Sequence, residues 1–169
     1  MADILRMKAD FAGKAAQMED LTRKIPKLVA GAAEQMKDAN FSAEGFVTGG
    51  AATKWKKRKK ETSVTMGKRI LSGTGYLQEN VKAKALAQHV HVGVDLSKVP
   101  YAKIHNEGGK AAQHVKAYTR TDKRTGKVSK VRAHVRNIDM PERKFLGHSS
   151  DINKLAGMEI DAAVKQILK

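Results

Sequence analysis

The chain has no cysteine, three prolines and only 5% aromatic residues in a length of 169. Without cysteine there is no disulfide framework, no thiol nucleophile and no Cys-based zinc or iron–sulfur site. Four Phe, three Tyr and one Trp are scattered along the chain, whereas single-strand nucleic-acid binders gather several stacking rings on one platform. No apolar run approaches the ~20 residues that cross a bilayer. Asp3 and Asp10 stand where a signal peptide is basic and then apolar, so the chain is expected in a cytoplasm and away from membranes. No GxxxxGK[ST] run is present, and Gly73-Thr74-Gly75 lacks the third glycine and the preceding strand of a dinucleotide site. No serine lies in a GxSxG elbow. Nothing argues for an enzyme, and no cofactor is expected.

Acidic residues are also scarce. Seventeen Asp+Glu face 33 Lys+Arg, a formal charge of +16. The excess is segregated. Residues 1–44 are balanced at seven and seven, and residues 151–169 at three and three. Residues 45–70 carry eight basic and one acidic residue, and residues 103–150 carry twelve and four. Two neutral ends therefore flank two basic segments, which points to a polyanion or an acidic protein surface as partner. The 41% hydrophobic content is compatible with a globular core, and the length with one domain plus an appended arm.

The order of elements reads as α+β: a long N-terminal helix, a mostly antiparallel sheet with a basic hairpin, and a C-terminal helix on the sheet. Residues 1–40 form the helical segment. Ile4, Met7, Phe11, Met18, Leu21, Ile25, Leu28, Ala32 and Met36 keep to one stripe at helical spacing. Pro26 predicts a kink or restart near Thr22–Ile25. So long a stripe either covers its own sheet or packs partly on a neighbouring subunit.

Residues 41–169 form the α+β part. The small, Gly-rich residues 42–53 read as a loop and Thr62–Leu71 as a short helix, with Val64, Ile70 and Leu71 as its apolar contacts. Alternation from Tyr76 predicts two strands, through Leu77, Val81, Ala83 and Ala85 and through Val90, Val92 and Val94. A helical turn follows over Tyr101–His105. The basic hairpin spans 114–136 and turns at Thr121–Gly126. Ser149-Ser150-Asp151 offers N-cap oxygens to a final helix with an apolar stripe through Ile152, Leu155, Ala156, Ile160, Ala163, Val164 and Ile167.

Two groups of cations are candidate contacts to DNA or an acidic partner. One is the run Lys54, Lys56, Lys57, Arg58, Lys59 and Lys60; the other is Arg120, Lys123, Arg124, Lys127, Lys130 and Arg132 on the hairpin. Both can also be plain solvated faces. Trp55 can stack on a base, but a lone Trp reads better as an anchor in the core. No recognition-helix signature accompanies the charge. His89 and His91 share a strand face, and His105 with Glu107 invites a nuclease reading, yet neither pair has the further ligands a metal needs. No metal is expected.

Four phrases then stand in order. The first is Phe41 with Glu44-Gly45, then Trp55 and Thr62. The second is Lys68, Ile70-Leu71, Thr74-Gly75 and Leu77. The third is Val92-Gly93, Tyr101-Ala102, Ile104-His105-Asn106 and Gly108-Gly109. The fourth is Met140-Pro141, Arg143, Phe145-Leu146-Gly147, Ser149, Asp151 and Ile152. Together they resemble the bacteriophage virion morphogenesis family of Mu-like tail-completion and head–tail joining proteins. Glu142 and Lys144 depart from the small residue and proline usual around that arginine, and the 56–60 cation run is particular to this chain.

The resemblance implies a non-enzymatic structural protein of the virion, assembled in the host cytoplasm. It implies a homo-oligomeric ring, with a hexamer the expected form, completing the head-proximal end of the tail at the neck. Its neighbours would be tail tube or sheath, the head–tail connector and passing DNA. Non-sequence-specific nucleic-acid binding is the alternative. Tyr101, Ile104, Phe145 and Leu146 are expected as core and interface anchors, Gly108 and Gly109 as sharp turns, Pro141 as a stiffener, and Arg143 as the partner of a carboxylate, internal or on a neighbour.

Overall fold

A computed structural model describes residues 2–62 and 65–169, and it leaves the side chains of 2–7 and 9 undescribed. Val64 and the side chains of Ile4 and Met7 thus lie outside the described residues. The α+β class holds. Helix α1 (Ala2–Ala43) leads into a hairpin of β1 (Gly45–Thr48) and β2 (Ala51–Lys54). Helix α2 (Tyr76–Asn80) precedes β3 (Val81–Ala85) and β4 (Val90–Val94), and α3 (Ala102–Glu107) follows. Strands β5 (Gly109–Val115), β6 (Tyr118–Thr121), β7 (Val128–Val131) and β8 (His134–Met140) come next, and α4 (Ser150–Leu168) ends the chain.

The strands form four two-stranded antiparallel ladders: β1–β2, β3–β4, β5–β8 and β6–β7. Helix α1 runs unbroken through Pro26, so the expected restart does not occur. The missing N–H removes one i→i−4 bond, but Leu21 before it and Ala30, Ala32, Ala33 and Met36 after it are buried and hold the helix on course. The 42 residues span about 63 Å, against about 40 Å for a compact domain of this length.

Helix α4 touches β1 and lies for most of its length along α1. Its start is pinned near the end of α1, where Ser149 Oγ donates to Val47 O at 3.0 Å and caps the helix by accepting from Asp151 N at 3.2 Å. Its end reaches Lys14, whose Nζ donates to Leu168 O at 3.2 Å. The two helices are therefore antiparallel, and α1 runs on past α4 toward its own N-terminus. Phe11 there is 69% exposed, whereas Leu21, Ala32 and Met36 are buried. An open groove of about 670 Å³ between the helices is lined by Leu21, Leu28, Ala163 and Ile167, among others.

Three sequence expectations need correction. Residues 45–54 are a hairpin, not a loop: Gly49 and Gly50 take φ of 62° and 76°, the signs a two-residue primed turn demands. The described part of Thr62–Leu71 makes turns rather than a helix, and Leu71 has φ 59°. Tyr76–Asn80 is a short helix instead of the start of a strand. The basic hairpin is also longer than 114–136. Strands β5 and β8 pair from Gly109↔Met140 to Val115↔His134, and β6–β7 continue the ribbon beyond a two-residue break in each strand. At its tip Asp122 Oδ1 accepts from Arg124 N and Thr125 N, and Gly126 takes φ 68°.

The core gathers Phe41, Trp55, Ile70, Leu77, Val81, Val99, Ala102 and Phe145, with Leu71, Val94 and Leu146 packed on it. Phe41 sits at its centre. Its ring meets Trp55 edge-on at 5.5 Å and Phe145 at 5.8 Å.

Candidate functional site

Residues distant in sequence converge around the segment Met140–Gly147. Trp55 is 6% exposed and its Nε1–H donates to Lys144 O at 2.7 Å, so it is an anchor and offers no stacking face. Asn106 Oδ1 accepts from both Phe145 N (3.0 Å) and Leu146 N (2.9 Å). Asn40 Nδ2 donates to Phe145 O at 3.2 Å while its Oδ1 accepts from Val47 N at 2.8 Å. Sequence reasoning missed Asn40, because its function as a clamp depends on strands that arrive only in three dimensions. Gly108 has φ 71°, and a Cβ there would lie 2.7 Å from Glu142 N. Only glycine meets both conditions. Gly109 follows with φ 125° and opens the ribbon.

Arg143 is 6% exposed. Its backbone N donates to His105 O at 2.8 Å, its Nε to Lys56 O at 2.9 Å, and its Nη1 lies 3.7 Å from Met140 Sδ. Among the described residues it forms no ion pair, and its side chain is held by backbone and sulfur instead. Burial, then the charge of Arg58, lower its pKa from the usual arginine value. His105 is also lowered, by burial first and then by Arg143. Its Nδ1 is buried without a hydrogen-bond partner. Tyr101 is 41% exposed, so it is not the core anchor expected; its ring stands edge-on to His105 at 5.8 Å. Ile104, Leu146 and Pro141 are half-buried, and Phe145 is fully so. Leu77 is buried, while Thr74 is exposed and Gly75, with φ 76°, caps α2. Gly147 is exposed and closes the motif segment ahead of the α4 cap.

The candidate cations divide into two kinds. Lys54 Nζ donates to Ala43 O at 2.6 Å, and Arg58 donates from Nη1 to Lys68 O and from Nη2 to Arg69 O. Both brace local backbone. Lys56, Lys57, Lys59 and Lys60 are exposed, and so are Arg120, Lys123, Arg124, Lys127, Lys130 and Arg132. The ribbon 109–140 carries nine Lys+Arg and two Asp+Glu, a net of +7. Lys59 Nζ lies 3.6 Å from Asp139, which brings the 54–60 run to the base of the ribbon.

Among the described residues, no group of three His, Asp or Glu could hold a metal, and no helix is long and apolar enough to cross a membrane. No curated protein and no solved structure matches the chain. Residues 6–168, from the amphipathic stripe of α1 through the motif segment to the end of α4, match the phage virion morphogenesis family. The chain belongs to that family, and its role in the phage is structural.

Proposed function

We propose that the chain is a subunit of a ring that completes the head-proximal end of the phage tail and makes it competent to join the head. The observation that carries this is the exposed apolar stripe of α1. A helix longer than its own domain leaves Phe11 and Met18 at 69% and 38% exposure beyond and beside α4. We read these two exposed side chains, on the stripe that packs the rest of the helix, as part of a surface that another chain covers. Family membership supplies the virion setting. Neighbours would be tail tube or sheath on one side and the head–tail connector on the other, and the work is assembly, without catalysis. Negative-stain microscopy and sedimentation velocity of the purified chain test the proposal. Closed rings are expected, and a strict monomer at every concentration overturns it.

The ribbon favours a second use. A net charge of +7 on a solvated two-stranded arm suits DNA passing through the ring, contacted at phosphates and not at bases. Duplex binding should fall steeply with salt. Absence of binding at low salt would eliminate this role.

A further inference from the structure

A pocket of about 280 Å³ opens beside the motif segment. Three of the four sequence phrases supply its walls. Ile70, Leu71 and Leu77 are apolar, Tyr101 and His105 come from the α3 region, and Arg143 and Arg58 bring two guanidinium groups. No carboxylate lines it. Arg58 gives Nη1 to Lys68 O and Nη2 to Arg69 O, and its one ion-pair partner among the described residues is Glu61, at 3.9 Å and 54% exposed on its side chain. Arg143 forms no ion pair among the described residues, and none of its hydrogen bonds there uses Nη2.

Two like charges on one partly buried wall repel each other, and an anion beside them relieves that repulsion. We propose that this pocket binds a carboxylate side chain presented by a second copy of the chain. The inference rests on the ring reading for the source of the carboxylate, but not for the chemistry of the pocket. The Arg143 Nη2 donor, with the charge of Arg58 beside it, suits a carboxylate oxygen, and the Ile70, Leu71 and Leu77 walls suit the aliphatic stem of Asp or Glu. A DNA phosphodiester would have to bury its sugars on those walls.

The second copy has the required groups. Ten of the chain's 17 acidic residues lie in segments 1–44 and 151–169, which are essentially α1 and α4. Asp10, Glu159 and Asp161 are exposed there and form no ion pair among the described residues. Helix of one copy against pocket of the next is a head-to-tail contact, the type that closes into rings.

Two measurements test the proposal. The first follows arginine side-chain Nε–Hε signals of the full chain during titration with sodium acetate, at ionic strength held constant with sodium chloride. The Arg143 signal should shift saturably and the signal of exposed Arg124 should not. Equal shifts in both, or a response to inorganic phosphate and not to acetate, would overturn the carboxylate assignment. The second measures self-association of Arg58→Gln, Asp10→Asn and Glu159→Gln/Asp161→Asn, alone and combined. Arg58→Gln should weaken association at least tenfold, Arg58→Lys less, and one of the acidic variants should add nothing further to Arg58→Gln, as paired groups do. Full additivity throughout, or no effect of Arg58→Gln, would overturn it. A monomeric chain with a saturable Arg143 response would sink the ring and spare the pocket chemistry. A ring indifferent to both acetate and Arg58→Gln would do the reverse.

Discussion

The motif segment and the basic ribbon meet at Met140, which pairs with Gly109 at the base of the ribbon, yet they are stabilised in opposite ways. On one side of that junction polar side chains bind the backbone of the chain itself: Asn106 serves two N–H groups, Trp55 and Asn40 hold the carbonyls of Lys144 and Phe145, and Arg143 braces Lys56. On the other side, residues 109–140 form a ladder only two strands wide with mostly exposed side chains and a net charge of +7. An isolated two-stranded ladder is marginal in water. The first region spends its side chains on the fold; the second leaves them free for something outside it.

Substitutions should expose that division. Phe145→Ala removes a ring 1% exposed at the centre of the core and should cost about 3–5 kcal/mol in urea unfolding. Asn106→Ala strands the N–H groups of Phe145 and Leu146 and should cost about 2–3 kcal/mol. Gly108→Ala forces a Cβ toward Glu142 N at positive φ and should cost about 1–3 kcal/mol, more than Ala placed at exposed Gly49.

A smaller effect should follow pH. Burial and then Arg143 hold the His105 pKa below the usual 6.5, so the unfolded ring takes up a proton first as pH falls. The stability His105 contributes is complete above 6.5 and is lost as pH drops below that value. Replacing His105 with Gln should flatten that part of the stability profile; an unchanged slope would show that His105 has no part in it.

Least of all should come from the ribbon. Neutralising Lys123, Arg124, Lys127 and Lys130 together should change the unfolding free energy by less than about 0.5 kcal/mol per site, while reducing the salt dependence of duplex binding by roughly one unit per lost phosphate contact. A large loss of stability would erase the distinction between the two regions.

Local signals were legible in the sequence where the chain obeys a period or a cap. The α4 stripe, the Ser149 cap, β3, β4 and the ribbon turn at Asp122–Gly126 are found where alternation, helical spacing and turn residues place them. Thr-Gly-Gly-Ala at 48–51 was a hairpin signal hidden by its small residues, because neither strand is apolar enough to look like one. Pro26 overstated its effect, since packing on both sides outweighs one lost hydrogen bond. At the candidate site the sequence singled out Trp55, His105, Asn106, Gly108 and Arg143 but not their meeting. Asn40 clamping Phe145, and Arg58 sharing a pocket with Arg143, join residues more than 80 positions apart, and no periodicity reports such distances.

The decisive measurement is electron microscopy of lysates from a phage lacking this chain, with and without purified protein added back. Filled heads and separate tails should accumulate without it, and wild-type protein should restore joined particles. The folded ribbon-neutralised variant should restore fewer. Joined, infectious particles in the absence of the chain would contradict its assignment to the completion of the tail.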